Sequence, residues 1–98
     1  MKITALVPCY NEAPRVGAVL DTLTKSPFLS EVIVIDNGSR DGSAEVIEKY
    51  PVKLIKLNEN QGKGGAVKIA VKQINTPFTL LADADNQGLT VEHLAQLI

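Results

Sequence analysis

The sequence contains little cysteine and no long apolar run, and both shortages limit what the protein can be. Its single cysteine, Cys9, excludes an internal disulfide and a zinc site built on cysteines, which agrees with a reducing compartment. The apolar run after Lys2 extends only from Ile3 to Val7 before Pro8, too short for a signal-peptide core or a membrane span. We therefore expect a cytoplasmic chain with no transmembrane segment.

A strong excess of charge of either sign is also missing. Ten Lys and Arg residues stand against eleven Asp and Glu residues, which gives a formal net charge of −1. Because no overall field attracts the chain to nucleic acid, we expect no nucleic-acid partner, and any anionic ligand must be bound by local groups. With 98 residues, 45% of them hydrophobic, the sequence is that of one globular domain or part of one.

Strand and helix patterns alternate along the chain. The residues from Val32 to Ile35 are four consecutive β-branched residues, typical of a strand covered on both faces in a parallel sheet. Apolar residues at the spacing i, i+3, i+4, i+7 predict helices from Pro14 and from Thr90. The order predicts a three-layer α/β/α fold with a mainly parallel sheet. The predicted strands cover 2–8, 31–36, 52–57 and 77–82, and the two remaining helices are predicted near 42–49 and over Val67 to Ile74.

Polar residues follow all four predicted strands, where open parallel sheets bind their ligands. Carboxylates gathered there would repel one another, so a divalent metal ion between them is expected. Asp83 and Asp85 form an Asp-x-Asp pattern, and Gln87 offers an amide oxygen to the same ion. Hard oxygen ligands of this kind suit Mg²⁺ or Mn²⁺, which commonly keep positions open for phosphate groups.

Several of these residues have a plain structural interpretation beside the functional one. Asp36 either caps the NGS turn or contacts a ligand, and Tyr10 either stacks on a ligand ring or covers the sheet edge. Lys63 lies beside phosphate at a helix start or is a solvated surface lysine. Cys9 is interpreted as a small strand-end residue, because the single histidine, His93, falls in the last predicted helix. The chain contains neither a GxGxxG pattern nor a complete P-loop pattern.

Four segments together resemble the N-terminal half of a family 2 glycosyltransferase with the GT-A fold: VPCYNE (7–12), VIVIDNGSRDGS (32–43), NQGKGGAV (60–67) and LLADADNQGLT (80–90). The resemblance is strongest to the dolichyl-phosphate mannose or glucose synthase type. It implies an inverting transfer of a sugar from a nucleoside-diphosphate sugar to a polyprenyl phosphate or small acceptor. Residues 1–98 would then be the donor-binding part of a single domain truncated at its C-terminus, and no general base is nominated.

The resemblance also implies which residues hold the nucleoside. Pro8, Tyr10 and Glu12 would line its pocket, with Tyr10 against the base and Glu12 on the ribose. Asp36, with Ile35 beside it, would contact the base. The family commonly has a second aspartate at the next position, where this chain has asparagine.

The diphosphate and the metal are assigned in the same way. Asp83 and Ala84 would lie under the ribose and diphosphate, and Lys63 is counted with the donor-binding residues. Asp83, Asp85 and Gln87 would hold the Mg²⁺ or Mn²⁺ ion. The resemblance therefore implies a cytoplasmic protein, working at the inner face of the membrane if its acceptor is a polyprenyl phosphate.

Three alternatives stay open at this point. A haloacid dehalogenase-like phosphotransferase would use the first aspartate of an Asp-x-Asp as its nucleophile, but at the end of the first strand. A receiver-like signalling module needs an acidic pair after that strand, where only Glu12 is present. The chain could also be a non-catalytic interaction module that forms a homodimer through an exposed sheet edge.

Overall fold

The computed structural model describes residues 2–82 and 91–95. Among these residues, no helix is long and apolar enough to cross a bilayer. Strands and helices alternate in the order β1 (Ile3–Cys9), α1 (Ala13–Thr24), β2 (Glu31–Asp36), α2 (Ser43–Ile47), β3 (Lys53–Lys56), α3 (Gly62–Val71), β4 (Phe78–Ala82) and β5 (Val91–Ala95).

The strands of the described residues form one sheet in the order β3-β2-β1-β4-β5. The central strand β1 pairs in parallel with β2 and β4, so that Leu6 lies opposite Ile33 on one side and Leu81 on the other. Strand β3 continues the parallel arrangement beyond β2, and β5 is antiparallel to β4. The prediction of a mainly parallel sheet is therefore confirmed.

Helices cover both faces of this sheet. In β2, Val32 and Val34 pack with the buried residues of α1 and α2, whereas Ile33 and Ile35 pack under α3. Successive side chains of a strand point to opposite faces, so four β-branched residues in a row supply both halves of the core. The predicted three-layer α/β/α fold is confirmed, with α1 and α2 on one face and α3 on the other.

Helix α1 buries the four residues that its periodicity predicted, Val16, Val19, Leu20 and Leu23. Each such side chain contributes about 1.5–3 kcal/mol by leaving water. Pro14 lies in the first turn, where its missing N–H costs nothing. The helix is therefore anchored to the sheet along one stripe.

The last described element corrects a sequence prediction. A helix was predicted from Thr90, which itself lies outside the described residues, but Val91–Ala95 form strand β5. The helical spacing covered barely two turns, and a five-residue segment that starts with a β-branched residue fits a strand equally well. Pairing with β4 satisfies backbone groups along an otherwise open edge, so a long-range contact overrides the local pattern. His93 therefore lies in a strand.

Candidate functional site

The carboxyl ends of the parallel strands β1, β2, β3 and β4 meet along one edge of the sheet. Cys9 at the end of β1 lies opposite Asp36 at the end of β2, and Asp36 lies opposite Lys56 of β3. On the other side of β1, β4 ends at Ala82, immediately before Asp83 in the sequence. The strand order reverses beside β1, and open α/β sheets bind ligands at such a reversal. We call these strand ends and the loops that follow them the carboxyl edge.

Asp36 carries an unusual buried oxygen at this edge. Its side chain is 0% exposed, and Oδ1 accepts a hydrogen bond from the backbone N–H of Ser39 at 3.1 Å. This bond confirms that Asp36 caps the turn. Oδ2 is also buried, yet it has no hydrogen-bond partner among the residues that the structure describes. A buried polar atom left unpaired costs about 1–3 kcal/mol, so Oδ2 is a candidate ligand contact.

The loop after Asp36 packs directly on the loop between β3 and α3. Gly38 has a φ of +80°, and a Cβ added to it would lie 2.8 Å from the backbone nitrogen of Asn60. The same Cβ would lie 2.8 Å from the carbonyl carbon of Glu59. Only glycine combines this left-handed backbone with so close an approach. The two loops are therefore in backbone contact.

The first turn of α1 is capped by the loop between β2 and α2. The N–H of Glu12 donates to Ser43 Oγ at 3.1 Å, and the N–H of Ala13 donates to Asp41 Oδ2 at 3.1 Å. Pro14 has no N–H, and the next two amides donate to the carbonyl of Glu12. These donors are already used, so this helix end does not present them to a phosphate as a dinucleotide-binding fold would.

Asn11 connects the same two loops from the other side. It has a φ of 51°, in the left-handed region that asparagine tolerates better than most residues. Its N–H donates to Ser39 Oγ at 2.8 Å, and its Oδ1 accepts from the N–H of Arg40 at 2.9 Å. The backbone between Tyr10 and Glu12 is thereby fixed. Sequence reasoning did not single out Asn11, whose partners lie almost thirty residues away.

The electrostatics of the capping aspartate follow from these bonds. The hydrogen bond from Ser43 Oγ lowers the pKa of Asp41 most, and the backbone N–H groups of Ala13 and Ser43 lower it further. Partial desolvation opposes this shift. The negative charge of Asp41 therefore favours the folded arrangement of the two loops.

Cys9 has the opposite electrostatic behaviour. Burial raises the pKa of its thiol to about 11, and the neighbouring Asp36 raises it further, although a hydrogen bond with Ser43 acts the other way. The side chain therefore remains a neutral thiol at physiological pH. This agrees with its interpretation as a small strand-end residue.

Two of the predicted nucleoside-pocket residues reach the surface of the carboxyl edge. The side chain of Tyr10 is 46% exposed just after β1, where an aromatic ring can stack on a ligand. Glu12 Oε2 accepts a hydrogen bond from Arg15 Nη1 at 3.0 Å. Arg15, which was not singled out from the sequence, therefore fixes the position of the Glu12 carboxylate through this ion pair.

The remaining predicted residues are placed less directly. Pro8 is half-buried and lies opposite Ile35 in the sheet. The side chain of Ile35 is fully buried and packs against α3. Lys63 lies in the first turn of α3. No group of three or more His, Cys, Asp or Glu side chains gathers to hold a metal ion among the residues described. The predicted metal and diphosphate residues fall outside that part of the chain: Asp83, Ala84, Asp85 and Gln87.

The described residues have a Rossmann-like α/β fold in which the strand order reverses beside β1 and the N–H groups at the start of α1 are already hydrogen-bonded. The chain belongs to glycosyl transferase family 2, because the model of that family matches residues 4–97. This confirms the resemblance found in the sequence.

Relatives with curated names agree with this assignment. The chain is 37% identical over 99 residues to the dolichyl-phosphate beta-glucosyltransferase of Dictyostelium discoideum, covering 85% of this chain and 30% of that protein. It is 34% identical over 100 residues to the human protein of the same name, covering 86% of this chain and 31% of the relative. The chain thus spans less than a third of the length of these relatives.

Solved structures share the fold. The mannosyltransferase PcManGT from Pyrobaculum calidifontis, in complex with GDP-Man and Mn²⁺, superposes with a TM-score of 0.77 at 31% identity, over 85% of this chain and 27% of that one. A TarS structure from S. aureus in complex with UDP superposes with a TM-score of 0.78 at 32% identity, over 87% of this chain and 28% of that one. Both superpose over most of this chain and less than a third of their own length.

Proposed function

We propose that this chain is the donor-binding part of a glycosyltransferase that moves a sugar from a nucleoside-diphosphate sugar to an acceptor with inversion. The observation that carries the proposal is the buried Oδ2 of Asp36 at the carboxyl edge, which has no hydrogen-bond partner within residues 2–82 and 91–95. A bound base that donates a hydrogen bond would remove the cost of leaving this oxygen unpaired. Asp36 therefore both closes a turn and contacts the base.

The acceptor character of Asp36 Oδ2 requires a base that donates a hydrogen bond. Uracil and guanine both carry a ring N–H beside a carbonyl group, whereas adenine and cytosine can donate only through an exocyclic amino group. The relatives solved with UDP and with GDP-Man carry these two bases. We therefore propose a uridine or guanosine diphosphate sugar as the donor.

The sugar and ribose side of the pocket is built by the β1–α1 loop. Tyr10 stacks on the base, and Glu12, held by Arg15, accepts hydrogen bonds from the ribose hydroxyls. Pro8, near the end of β1, lines the same side of the pocket. The hydrogen bonds of Asn11 to the next loop keep this side of the pocket in place before the donor arrives.

The metal site follows from the donor set after β4. Asp83, Asp85 and Gln87 supply hard oxygen atoms, which fit Mg²⁺ or Mn²⁺, and Ala84 leaves room for the diphosphate. When bound, such an ion neutralises the charge that develops on the departing nucleoside diphosphate. Lys63, in the first turn of α3, adds a positive charge on the phosphate side.

The acceptor is proposed from the relatives' names. The dolichyl-phosphate beta-glucosyltransferases of Dictyostelium and human point to a polyprenyl phosphate. In this proposal the 98 residues supply the donor side of one domain, and the acceptor pocket and general base belong to sequence outside them. Work on a membrane-borne acceptor would place the protein at the cytoplasmic face of a membrane.

The competing functions find less support. Strand β1 ends at Cys9, so the nucleophilic aspartate of a haloacid dehalogenase-like enzyme has no counterpart there. Outer strand β3 carries exposed lysines at Lys53 and Lys56, and lysines on an outer strand oppose pairing with a second copy. A homodimer through this edge is therefore disfavoured.

Calorimetric titration of the intact protein with UDP and GDP tests the proposal. We expect one of the two to bind in the presence of Mn²⁺ and to lose affinity when EDTA removes the metal. Asp36→Asn should weaken this binding, and Asp83→Asn with Asp85→Asn should remove its metal dependence. Glu31→Gln makes the same carboxylate-to-amide change at the other end of β2 and should change nothing. Absence of Mn²⁺-dependent binding of either nucleotide would refute the proposal.

A further inference from the structure

Asn37 joins three parts of the carboxyl edge through one buried side chain and its backbone. The residue is 4% exposed, and its N–H donates to the carbonyl of Cys9 at the end of β1, at 2.8 Å. Its Oδ1 accepts from the N–H of Gln61 at 2.8 Å, and its Nδ2 donates to the carbonyl of Gly62 at 3.1 Å. The ends of β1 and β2 and the start of α3 are therefore tied together.

The side chain of Asn37 must be an amide for this arrangement. One end accepts from a backbone N–H while the other donates to a backbone carbonyl, so only one orientation of the amide satisfies both partners. Nδ2 also lies 3.5 Å from Asn60 Oδ1, which itself accepts from the N–H of Gly62 at 2.6 Å. An aspartate here would keep the bond from Gln61 but place a second acceptor against the carbonyl of Gly62.

The geometry points to Asn37 as a positioning residue of the donor site, an inference that rests on the proposed function. Asp36, directly before it, carries the buried oxygen that is proposed to meet the base and that no group in the described part of the chain binds. Gly62, whose carbonyl accepts from Asn37, and Lys63, the next residue, lie in the first turn of α3, where Lys63 is proposed to meet the diphosphate. Asn37 thus fixes the spacing between the base-binding and diphosphate-binding parts of the pocket before a donor binds.

Pre-organisation of this kind has a measurable consequence. The β3–α3 loop has to be ordered for the diphosphate to bind. A chain that lacks the side-chain hydrogen bonds of Asn37 must order this loop during binding, which weakens its affinity for the nucleotide. By linkage, a bound nucleotide then restores the order of the loop by the same factor. A residue that only fills space in the core would change global stability without producing this coupling.

Two variants of Asn37 separate its donor and acceptor functions. Asn37→Leu keeps approximately the volume and removes both side-chain bonds, whereas Asn37→Asp keeps the bond from Gln61 and loses the donor to Gly62. We expect the affinity for UDP or GDP with Mn²⁺ to fall about tenfold in the first and about threefold in the second, because a hydrogen bond contributes modestly on average. Asn75→Asp makes the same chemical change at an exposed position after α3 and should leave affinity unchanged.

Amide hydrogen exchange of the intact protein tests directly whether the side chain of Asn37 orders the β3–α3 loop. Exchange of the Gln61 N–H should be about tenfold faster in Asn37→Leu than in the wild type, while the core amide of Val34 keeps its rate. Saturating UDP or GDP with Mn²⁺ should slow the Gln61 exchange of the variant again. Unchanged exchange at Gln61, or faster exchange that nucleotide does not reverse, would overturn the inference while wild-type binding still supports the proposed function. A wild type that binds neither nucleotide would overturn both.

Discussion

Replacement of Gly38 by alanine is the sharpest test of how the carboxyl edge is packed. The backbone of Gly38 is left-handed, with a φ of +80°, and its missing Cβ faces two backbone atoms of the β3–α3 loop at 2.8 Å. Such a distance is shorter than real Cβ contacts, and backbone atoms cannot turn aside as a flexible side chain can. The substitution therefore introduces both backbone strain and a steric clash.

The structure allows these two costs to be measured separately. Gly62 is also left-handed, with a φ of +76°, but an added Cβ would meet no described residue within 4 Å. Gly62→Ala should therefore cost the backbone term alone, about 1–2 kcal/mol. Gly38→Ala adds the clash, for which overpacking typically costs about 1–3 kcal/mol more. Gly64 lies inside α3, and a Cβ added to it would also meet none of the described residues within 4 Å, so its replacement by alanine should raise the free energy of unfolding by about 0.5–1 kcal/mol.

Urea unfolding of the wild type and the three variants gives the free energies of unfolding. The expected order of stability is Gly64→Ala above the wild type, Gly62→Ala below it, and Gly38→Ala lowest. If Gly38→Ala were no less stable than Gly62→Ala, the loops after β2 and β3 would not be in backbone contact. The close packing at Gly38 described for the carboxyl edge would then be wrong.

Three further predictions concern the buried and charged groups of the edge. Asp36→Asn should raise the free energy of unfolding by about 1 kcal/mol, because an amide with no net charge costs less to bury unpaired than a carboxylate. A lower free energy of unfolding in urea would contradict this. Cys9 should not react with a thiol reagent at pH 8 until the protein is unfolded, since burial raises the pKa of its thiol to about 11. Rapid labelling of the native protein would contradict this prediction. Because the pKa of Asp41 is lowered in the folded state, its stabilising effect is present above its unfolded pKa and lost as the pH falls through the folded pKa. The stability difference between wild type and Asp41→Asn should thus shrink as the pH is lowered from 7 to 2, and a constant difference would exclude this role.

The parts of the fold that were predictable from sequence are those with a strong local signal. The four β-branched residues from Val32 to Ile35 predicted a strand covered on both faces, and each face of that strand packs against helices. The spacing of the apolar residues in α1 predicted its buried stripe correctly. Both signals depend on side-chain periodicity within one element, so neither needs knowledge of the rest of the chain.

The features that sequence reasoning missed depend on contacts between distant residues. Strand β5 was predicted as a helix because the short apolar pattern was local, whereas its pairing with β4 is not. The caps of α1 come from Asp41 and Ser43, about thirty residues beyond the amides that they accept from. Asp36 was left between turn capping and ligand contact. In the structure both interpretations are compatible, because Oδ1 closes the turn and Oδ2 has no partner among the described residues.

Residue-resolved NMR of the intact protein with UDP or GDP, with and without Mn²⁺, locates the donor site. We expect the nucleotide to shift the amide signals of Tyr10, Asn37 and Gly38 at the carboxyl edge, and paramagnetic Mn²⁺ to broaden them. Signals of Glu31, at the opposite end of β2, and of Phe28, in the connection before it, should stay unchanged. Shifts and broadening centred on Phe28 and Glu31, with the carboxyl edge unaffected, would contradict the assignment of the donor site.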